Sequence, residues 1–432
     1  MRPGVQRPSG GTYLRLVGLG AAVGVPAALV AAAFLSLVHQ LQHWLWHDLP
    51  DALGGDAPQW YLVLLLPVCG ALIVLGARLL LPGDGGHLPL DGLSTKPTPP
   101  RHVPGVALAA LGTLGFGAVL GPEAPVIALG SAVGVAVSRL YRSAGEQGTA
   151  ILSNAGSFSA ISALFGGPIV AGMLLVEGGV GIGAALLPAL LPGLVAAAIG
   201  YLIFIGLDHW PGLGAPGLAV PDLPRYEGTH IYDLLIAIAV GATAAVVVAA
   251  VHRLGGRVAR IGARPLVLAG GAAVGALALV GDALGADPQD VLFSGQNSIA
   301  TVVETDSTQL VLVLLATKFL AYGISLGCGF RGGPIFPAIF LGVALAALAV
   351  VWFDTSPTLA IAVGASAAMA AQTRLLFSPL IFAALLVGTA GTDAVPAAAL
   401  ASATAWLAIS RLQPAPAPDQ PAPTRSAPSP DR

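Results

Sequence analysis

Charged side chains are scarce in this sequence: 9% of its 432 residues are Asp, Glu, Lys or Arg, whereas 56% are hydrophobic. Soluble domains have roughly a quarter charged residues, so this balance excludes an ordinary water-soluble fold. Apolar runs of about 20 residues, the length that crosses a bilayer core, recur along the chain. The sequence therefore predicts an all-α polytopic membrane protein, because lipid-exposed backbone must satisfy its hydrogen bonds within each segment. The runs begin near Leu14 and include 60–81, 180–205, 231–250, 265–280 and 310–325.

Cysteine is also rare, and this excludes further classes of protein. The two cysteines, Cys69 and Cys328, both lie in apolar segments, which argues against a disulfide framework and against a Cys-ligated metal site. We interpret both as small packing residues. No metal site, no organic cofactor and no nucleic-acid partner is expected.

The few charges are distributed unevenly between the loops, which predicts an orientation. Loops rich in Lys and Arg favour the cytoplasmic side of a membrane. We therefore expect a multi-pass protein of the cell membrane with both termini in the cytoplasm. The acidic residues expected outside are Asp48, Asp51, Asp56, Asp208, Asp222, Glu227, Asp282, Asp287, Asp290, Glu304 and Asp306, and the basic residues expected inside are Arg139, Arg142, Arg253, Arg257, Arg260 and Arg264.

One motif occurs twice. Residues 115–130 (GFGAVLGPEAPVIALG) and 327–342 (GCGFRGGPIFPAIFLG) are identical at eight of sixteen positions, at an offset of 212 residues. A fainter echo follows in each half, at 165–178 and 377–388. The chain is thus two related halves, a pattern typical of transporters whose substrate site lies between the repeats at broken helices.

The chemistry of the repeated motif favours an anion. In both copies a Gly-Pro pair precedes an apolar helix, and Pro is tolerated in the first helical turn because its missing N–H would be unpaired there. The free N–H groups and the positive end of the helix dipole then face the site. Two such helix starts could hold an anion weakly enough to release it, which conduction requires. Close packing of small residues is the alternative explanation for the repeated glycines.

Ionisable residues inside apolar sequence are functional candidates by default. Glu123 stands in the first motif, where its carboxylate could occupy the anion position and leave it when protonated, so it is a candidate gate; a fixed capping carboxylate is the alternative. Lys318 and Arg331 could attract anions or pair with a carboxylate. For Glu177, at the end of an apolar segment, we favour a structural role in contact with neighbouring backbone.

These motifs resemble those of the CLC chloride channel and transporter family. Residues 121–125 (GPEAP) are similar to its Gly-Arg/Lys-Glu-Gly-Pro motif and residues 333–337 (GPIFP) to its Gly-Ile-Phe-Ala-Pro motif, while 85–89 (GGHLP) stands in the place of its Gly-Ser-Gly-Ile-Pro loop. The resemblance covers about 14–410. It implies a CLC-type fold of two inverted repeats with short broken helices, and a homodimer in which each subunit has its own anion pathway.

The resemblance also assigns roles to residues. Glu123 would be the external gating glutamate, the N–H groups of Ile335 and Phe336 would line the central anion site, and Gly86 and Leu88 would lie on the first contributing loop. The full set of expected anion-binding residues is Gly86, Leu88, Gly121, Pro122, Gly333, Ile335 and Phe336.

Departures from the family pattern decide between modes of transport. Gly86 replaces the serine whose hydroxyl coordinates chloride, and no tyrosine stands at 413–417 for the second hydroxyl, so a preference for chloride is not implied. Glu177 aligns with the first of the family's paired glutamates, but Gly178 replaces the second, the internal proton-transfer acid of the exchangers. We therefore expect passive conduction of chloride or a similar anion, gated by Glu123, with chloride/proton antiport as the alternative.

The expected organisation is a cytoplasmic segment 1–12, a membrane domain 13–411 with repeats at about 13–207 and 230–411, and a disordered Pro-rich tail 412–432. Membrane lipid and a second copy of the chain are the expected partners, with protons added if transport is coupled. The different-class alternative is an intramembrane enzyme. A serine or aspartyl protease needs paired catalytic side chains at membrane depth, and Asp393 has no evident partner, so we expect no enzymatic activity.

Overall fold

The computed structural model describes residues 10–55, 57–92, 96–140, 145–162, 164–178, 187–207 and 218–413. The expectations for Asp56, Arg142 and Asp208 and for most of the two terminal segments therefore lie outside the described residues. Within the described ranges the chain is helical, and its only β-type feature is one isolated bridge. The helices are α1 Gly10–His43, α2 Leu49–Ala52, α3 Trp60–Leu80, α4 Val103–Leu114, α5 Glu123–Leu140, α6 Gly145–Ser162, α7 Pro168–Gly178, α8 Leu187–Leu207, α9 Ile231–Ala259, α10 Leu266–Ala283, α11 Pro288–Val291, α12 Ile299–Glu304, α13 Thr308–Cys328, α14 Ile335–Phe353, α15 Pro357–Thr373, α16 Phe377–Val387 and α17 Val395–Leu412, with short 3₁₀ turns at Pro89–Asp91, Pro100–His102, Gln296–Ser298 and Gly388–Ala394 and a π-helical turn at Trp44–Asp48.

Nine stretches of the described chain are long and apolar enough to cross a membrane, which confirms the polytopic all-α prediction. Three of them were not among the apolar runs recognised in the sequence: Glu123–Leu140, Ile335–Phe353 and Phe377–Leu412. The first two carry the repeated motif, whose Gly and Pro residues interrupt the hydrophobic pattern.

Several helices are short or contain an internal proline, a pattern that the 57 glycines and 35 prolines of the chain favour. Pro26, Pro67 and Pro192 lie inside α1, α3 and α8, where the ring removes one backbone hydrogen bond. Pro168 and Pro357 instead begin α7 and α15, positions that cost no hydrogen bond. Broken helices of this kind place backbone N–H groups at membrane depth, where they can serve a site.

The two halves pack in the same way. In the first half α1 packs on α6 and α8, and in the second half α9 packs on α15 and α17. The last glycine of each motif makes the same close approach: a Cβ at Gly130 would collide with the Gly156 backbone of α6, and one at Gly342 with the Gly364 backbone of α15. The sequence repeat is therefore also a structural repeat, held together by small residues as in other membrane bundles.

Candidate functional site

The two copies of the motif meet in the interior. Gly121 N–H donates to Gly333 O at 2.7 Å, and Gly333 N–H donates to Gly121 O at 2.6 Å, in an antiparallel bridge. Helix α5 begins two residues later at Glu123 and α14 begins two residues later at Ile335. The bridge thus fixes the two helix starts beside each other.

A second pair of hydrogen bonds repeats this exchange. Val119 N–H donates to Ser325 Oγ at 3.1 Å, and Arg331 N–H donates to Thr113 Oγ1 at 3.1 Å. Arg331 is the repeat equivalent of Val119, and Ser325 is that of Thr113, since each pair is 212 residues apart. Each half therefore supplies a hydroxyl group that accepts a backbone N–H of the other half. That N–H lies two residues before the Gly-Pro pair of the half that donates it.

Glu123 lies at the centre of this arrangement. Its side chain is 0% exposed, and its Oε1 accepts the Ile335 N–H at 2.5 Å. The Phe336 N–H also interacts with the carboxylate. Ile335 is the residue that matches Glu123 in the repeat, so the carboxylate of one copy occupies the free N–H groups at the helix start of the other. A negative charge is stabilised there by the helix dipole.

The second carboxylate oxygen is unusual. Oε2 of Glu123 is buried and has no hydrogen-bond partner among the described residues. A buried polar atom without a partner costs free energy, on the order of 1–3 kcal/mol. This side chain is consequently held by fewer hydrogen bonds than a fully satisfied buried carboxylate.

Gly121 and Gly333 make room for the carboxylate. A Cβ on either residue would collide with the carboxyl group of Glu123. The site therefore depends on these glycines for space, while Pro122 and Pro334 end the extended segment before each helix.

Aromatic rings cover one side of the second helix start. The Phe336 ring stacks on Phe165 with a centroid distance of 5.8 Å, and it meets Phe382 edge to face at 6.1 Å. Phe165 follows α6, and Phe382 belongs to α16, so elements of both halves contribute. These rings give the site an apolar wall beside the backbone donors.

Arg331 is 2% exposed, and several of its donors are occupied. Its Nη2 donates to Asp84 Oδ2 at 2.7 Å and its Nε to Asp84 O at 3.0 Å, while Arg78 Nε donates to Asp84 Oδ1 at 3.1 Å. Of the two roles expected for Arg331, pairing with a carboxylate is the one found. The pair fixes the loop before the first 3₁₀ turn against the second motif.

That loop carries Gly86 and Leu88. Gly86 has a φ of +103°, a left-handed conformation that L side chains rarely adopt, and a Cβ there would lie 3.1 Å from Val106 Cγ2. Leu88 is 47% exposed. A cavity of about 220 Å³ lies between the loop and the first turns of α5, lined by Gly83, Gly86, His87, Lys96, Pro97, Thr98, Pro99, His102, Val106, Ala124, Ile127 and Ala128.

Lys318 on α13 is 0% exposed and bonds backbone carbonyls. Its Nζ donates to Asp290 O at 2.7 Å and to Leu292 O at 2.8 Å, and it lies 4.5 Å from the centroid of the Phe340 ring. The charge is thus placed between a loop and α14. An electrostatic role toward anions stays a prediction for this residue.

Glu177 has the structural contacts that the sequence predicts. Its Oε1 accepts the N–H groups of Leu376 and Phe377 at 2.8 and 2.9 Å, and its Oε2 accepts both N–H and Oγ–H of Ser378 at 2.6 Å. The carboxylate therefore caps α16, the repeat counterpart of its own helix α7.

Sequence reasoning missed three polar residues behind the second motif. Tyr322 Oη donates to Pro334 O at 2.6 Å and lies 3.4 Å from Gln372 Oε1, which is 3.0 Å from His252 Nε2. Tyr322 stands four residues after Lys318, one turn along the same helix, and that spacing was the available signal. The partners lie on α9 and α15, and pairings so distant in sequence leave no local pattern.

Comparison with known proteins identifies a family whose sequence pattern this chain matches. The model of the family described as voltage gated chloride channel matches residues 89–409. Ion-transport protein YfeO of Escherichia coli K12 is 31% identical over 346 residues, which are 78% of this chain and 79% of the relative. The protein of the same name from Shigella boydii is equally similar, at 31% identity over the same shares.

Solved structures share the fold. A slow cyanobacterial Cl⁻/H⁺ antiporter superposes with a TM-score of 0.75 at 17% identity, covering 94% of this chain and 96% of the other. A CLC-type fluoride/proton antiporter gives a TM-score of 0.69 at 20% identity, over 94% and 99% of the two chains. A eukaryotic CLC transporter gives 0.71 at 18% identity, over 92% and 72%.

Proposed function

Because the chain belongs to the voltage-gated chloride channel family, we propose that it conducts a small anion passively across the cell membrane, with Glu123 as the gate. The observation that carries this proposal is the contact between the Glu123 carboxylate and the Ile335 N–H at the start of α14. A carboxylate bound to free N–H groups at a helix start is itself a bound anion. While it stays there, a mobile anion cannot use the same donors.

Opening follows from protonation of that carboxylate. A neutral carboxyl group loses most of its attraction to the helix dipole and to the backbone donors. Among the residues that the structure describes, none forms a hydrogen bond with its Oε2 that would hold the side chain in place. The N–H groups of Ile335 and Phe336 are then free for an anion, which is bound by backbone donors alone and can leave again.

The remaining motif residues have supporting roles in this proposal. Gly121, Pro122 and Gly333 keep the two helix starts close, and the loop with Gly86 and Leu88 borders the approach to them. Lys318 and Arg331 add positive charge at membrane depth. The lack of a side-chain hydroxyl at Gly86 favours a site that selects by charge and size more than by chloride-specific contacts.

Chloride/proton antiport is the second candidate, because two of the structural neighbours are described as Cl⁻/H⁺ and fluoride/proton antiporters. We prefer passive conduction, since Gly178 stands beside Glu177 where an exchanger of the family would carry its internal acid, and Glu177 itself is bonded to α16. We further propose that the chain acts as a homodimer with both termini in the cytoplasm.

Reconstitution into liposomes with a chloride gradient tests the proposal. Chloride efflux and external pH are recorded together, for the wild type and for Glu123→Gln. Passive conduction predicts efflux without proton movement until a proton ionophore is added, and faster efflux in the variant. Uphill proton movement driven by the chloride gradient would establish antiport instead, and equal flux in wild type and variant would remove Glu123 as the gate.

A further inference from the structure

Two arginines from different halves of the chain bind one aspartate. Arg331 Nη2 donates to Asp84 Oδ2 at 2.7 Å and Arg78 Nε donates to Asp84 Oδ1 at 3.1 Å, so each guanidinium group takes one carboxylate oxygen. Both guanidinium groups also donate to Gly329 O, at 3.2 Å from Arg331 and 3.4 Å from Arg78. They therefore lie side by side, with one carbonyl and one carboxylate as shared acceptors.

The charges of this cluster do not cancel. Two guanidinium groups face one carboxylate, and the electrostatic interaction between Arg78 and Arg331 is repulsive. Arg78 makes two hydrogen bonds to described residues, fewer than the number of N–H groups on its guanidinium. The cluster thus has a surplus of positive charge and unused donors, and guanidinium groups in this state bind anions.

Asp84 is the exposed member of the cluster. Its side chain is 62% exposed, whereas the side chain of Arg78 is 16% exposed and that of Arg331 is 2% exposed. An ion pair with a solvated partner is weak, because the partner regains water when the pair opens. The carboxylate can therefore leave at little cost, while the arginines stay where they are.

The backbone of the loop does not depend on this carboxylate. Arg331 Nε donates to the carbonyl oxygen of Asp84 at 3.0 Å, and Arg331 Nη1 donates to Gly329 O. Both contacts use acceptors of the main chain. They remain when the Asp84 side chain turns away, so the loop keeps its place against the second motif.

The cluster lies beside the bridge between the two halves. Arg331 is two residues before Gly333, whose N–H and carbonyl bond to Gly121, so its Cα lies at most about 7 Å from that of Gly333. On the other side, Gly83 and Gly86 flank Asp84 in sequence and line the cavity next to α5. An anion bound by the two arginines would therefore be close to the helix starts.

The cluster also belongs to one side of the membrane. Arg78 lies in the last turn of α3 and Arg257 in the last turn of α9. The 3₁₀ turn that follows the loop contacts α9 near this end, since a Cβ at Gly255 would lie 3.1 Å from Leu90 Cδ2. We call the membrane face at which α3 and α9 end the basic face. The sequence predicts that this face is cytoplasmic.

We propose that Arg78 and Arg331 form a second anion-binding site at the basic face, which a small anion such as chloride occupies by displacing the Asp84 carboxylate. The proposal rests on the passage of anions at the bridge argued above. The arriving anion accepts N–H groups from both guanidinium groups while Asp84 turns to water. Asp84 returns when the anion moves on, so the arginines are never left without a counter-charge.

This site differs from the bridge in its donors and in what competes for them. At the bridge the donors are backbone N–H groups and the competing carboxylate is Glu123. At the basic face the donors are side-chain cations, which attract an anion from further away. Two bare arginines would hold that anion too firmly for release, and competition from Asp84 weakens its binding, as conduction requires.

The test compares the wild type with Asp84→Asn, which replaces the competing carboxylate by a neutral amide. Chloride binding to purified protein in detergent is measured by isothermal titration calorimetry, at constant ionic strength set with gluconate. The half-saturating chloride concentration for transport is measured at each face in right-side-out and inverted vesicles. Asp84→Asn should bind chloride about tenfold more tightly, since the competing contact loses its charge. Its half-saturating concentration should fall by about the same factor at the basic face only.

Two further variants separate displacement from other effects. Asp91→Asn is the matched control, because Asp91 is an exposed carboxylate on the adjoining 3₁₀ turn with no hydrogen bond or ion pair to a described residue; chloride binding of this variant should equal that of the wild type. Arg78→Gln added to Asp84→Asn should abolish the gain in chloride binding, because one of the two cationic groups is gone. Asp84→Ala also removes the competitor and replaces Asp84→Asn if that variant does not fold.

The second site is wrong if removing the Asp84 carboxylate leaves chloride binding at the wild-type value. It is also wrong if the gain survives Arg78→Gln, since a loosened loop would then be the cause. Calorimetry separates these results from a failure of the proposed function, because it does not require transport. Absence of chloride flux from the wild type and from Glu123→Gln would overturn the proposed function while leaving the binding result intact. Melting temperature in detergent confirms that each variant is folded.

Discussion

Replacing Glu123 by Gln changes one charge at the point where the two halves meet. The amide oxygen of Gln can still accept the Ile335 N–H that Oε1 accepts at 2.5 Å. Its NH₂ group must take the place of Oε2, which is buried and has no hydrogen-bond partner in the described part of the chain. The variant therefore keeps the shape of the gate and loses its charge, as protonation would.

The size of the effect follows from this contact. A hydrogen bond to a charged acceptor contributes roughly 1.5–3 kcal/mol and one between neutral groups roughly 0.5–1.5 kcal/mol. The difference for the Glu123–Ile335 bond is about 1.4 kcal/mol, which is tenfold in an equilibrium constant. We expect anion flux about tenfold above that of the wild type at neutral pH, provided that the wild-type gate is mostly closed.

The assay is chloride efflux from liposomes at a series of pH values that are equal on both sides. We expect wild-type flux to rise as the pH falls, because protonation of Glu123 would remove the charge that, in our proposal, holds the gate closed. The variant should be fast at every pH. Glu177→Gln is the matched control, since it makes the same change at a carboxylate that caps α16 away from the bridge, and folded protein of this variant should keep the pH dependence. A Glu123→Gln flux that is equal to or below the wild-type value, or that still rises on acidification, would refute the reasoning.

Three further changes test other parts of the structure. Gly333→Ala should raise chloride efflux and reduce its pH dependence, because the added Cβ collides with the carboxyl group of Glu123; wild-type efflux would contradict the packing described. Glu177→Gln should lower the free energy of unfolding by about 2 kcal/mol, since it weakens charged hydrogen bonds to the start of α16. The melting temperature of this variant in detergent should therefore fall below that of the wild type. Gly86→Ser should lower the free energy of unfolding by about 1–2 kcal/mol, because a serine must adopt the left-handed backbone conformation of Gly86. Its added hydroxyl should shift selectivity toward chloride over nitrate in efflux assays. An unchanged anion preference would show that this loop does not reach the site.

The repeat made much of the architecture predictable. The matched Gly-Pro pairs indicated two helix starts at one place, and the structure joins Gly121 to Gly333 directly. Composition and hydropathy predicted a helical membrane protein because both are properties of the whole chain. The structural role favoured for Glu177 is likewise confirmed by its contacts with α16.

Side-chain pairing was harder to predict, because it depends on how distant helices pack. Nothing in the sequence near Arg331 indicates Asp84 as its partner, since the two are 247 residues apart. Lys318 bonds carbonyls that any sequence would present. His252 and Gln372 are 120 residues apart and come together only because α9 and α15 pack on each other.

The contact between Glu123 and Ile335 also bears on why the two halves are joined in one polypeptide. Two identical single-repeat chains would have to carry the same residue at this position, so their shared site would contain either two facing carboxylates or none. Joining the copies in one chain allows them to diverge at a single position. One half can then keep the acid while the other keeps only its backbone donors, and an arrangement of two similar halves acquires a site with a single carboxylate.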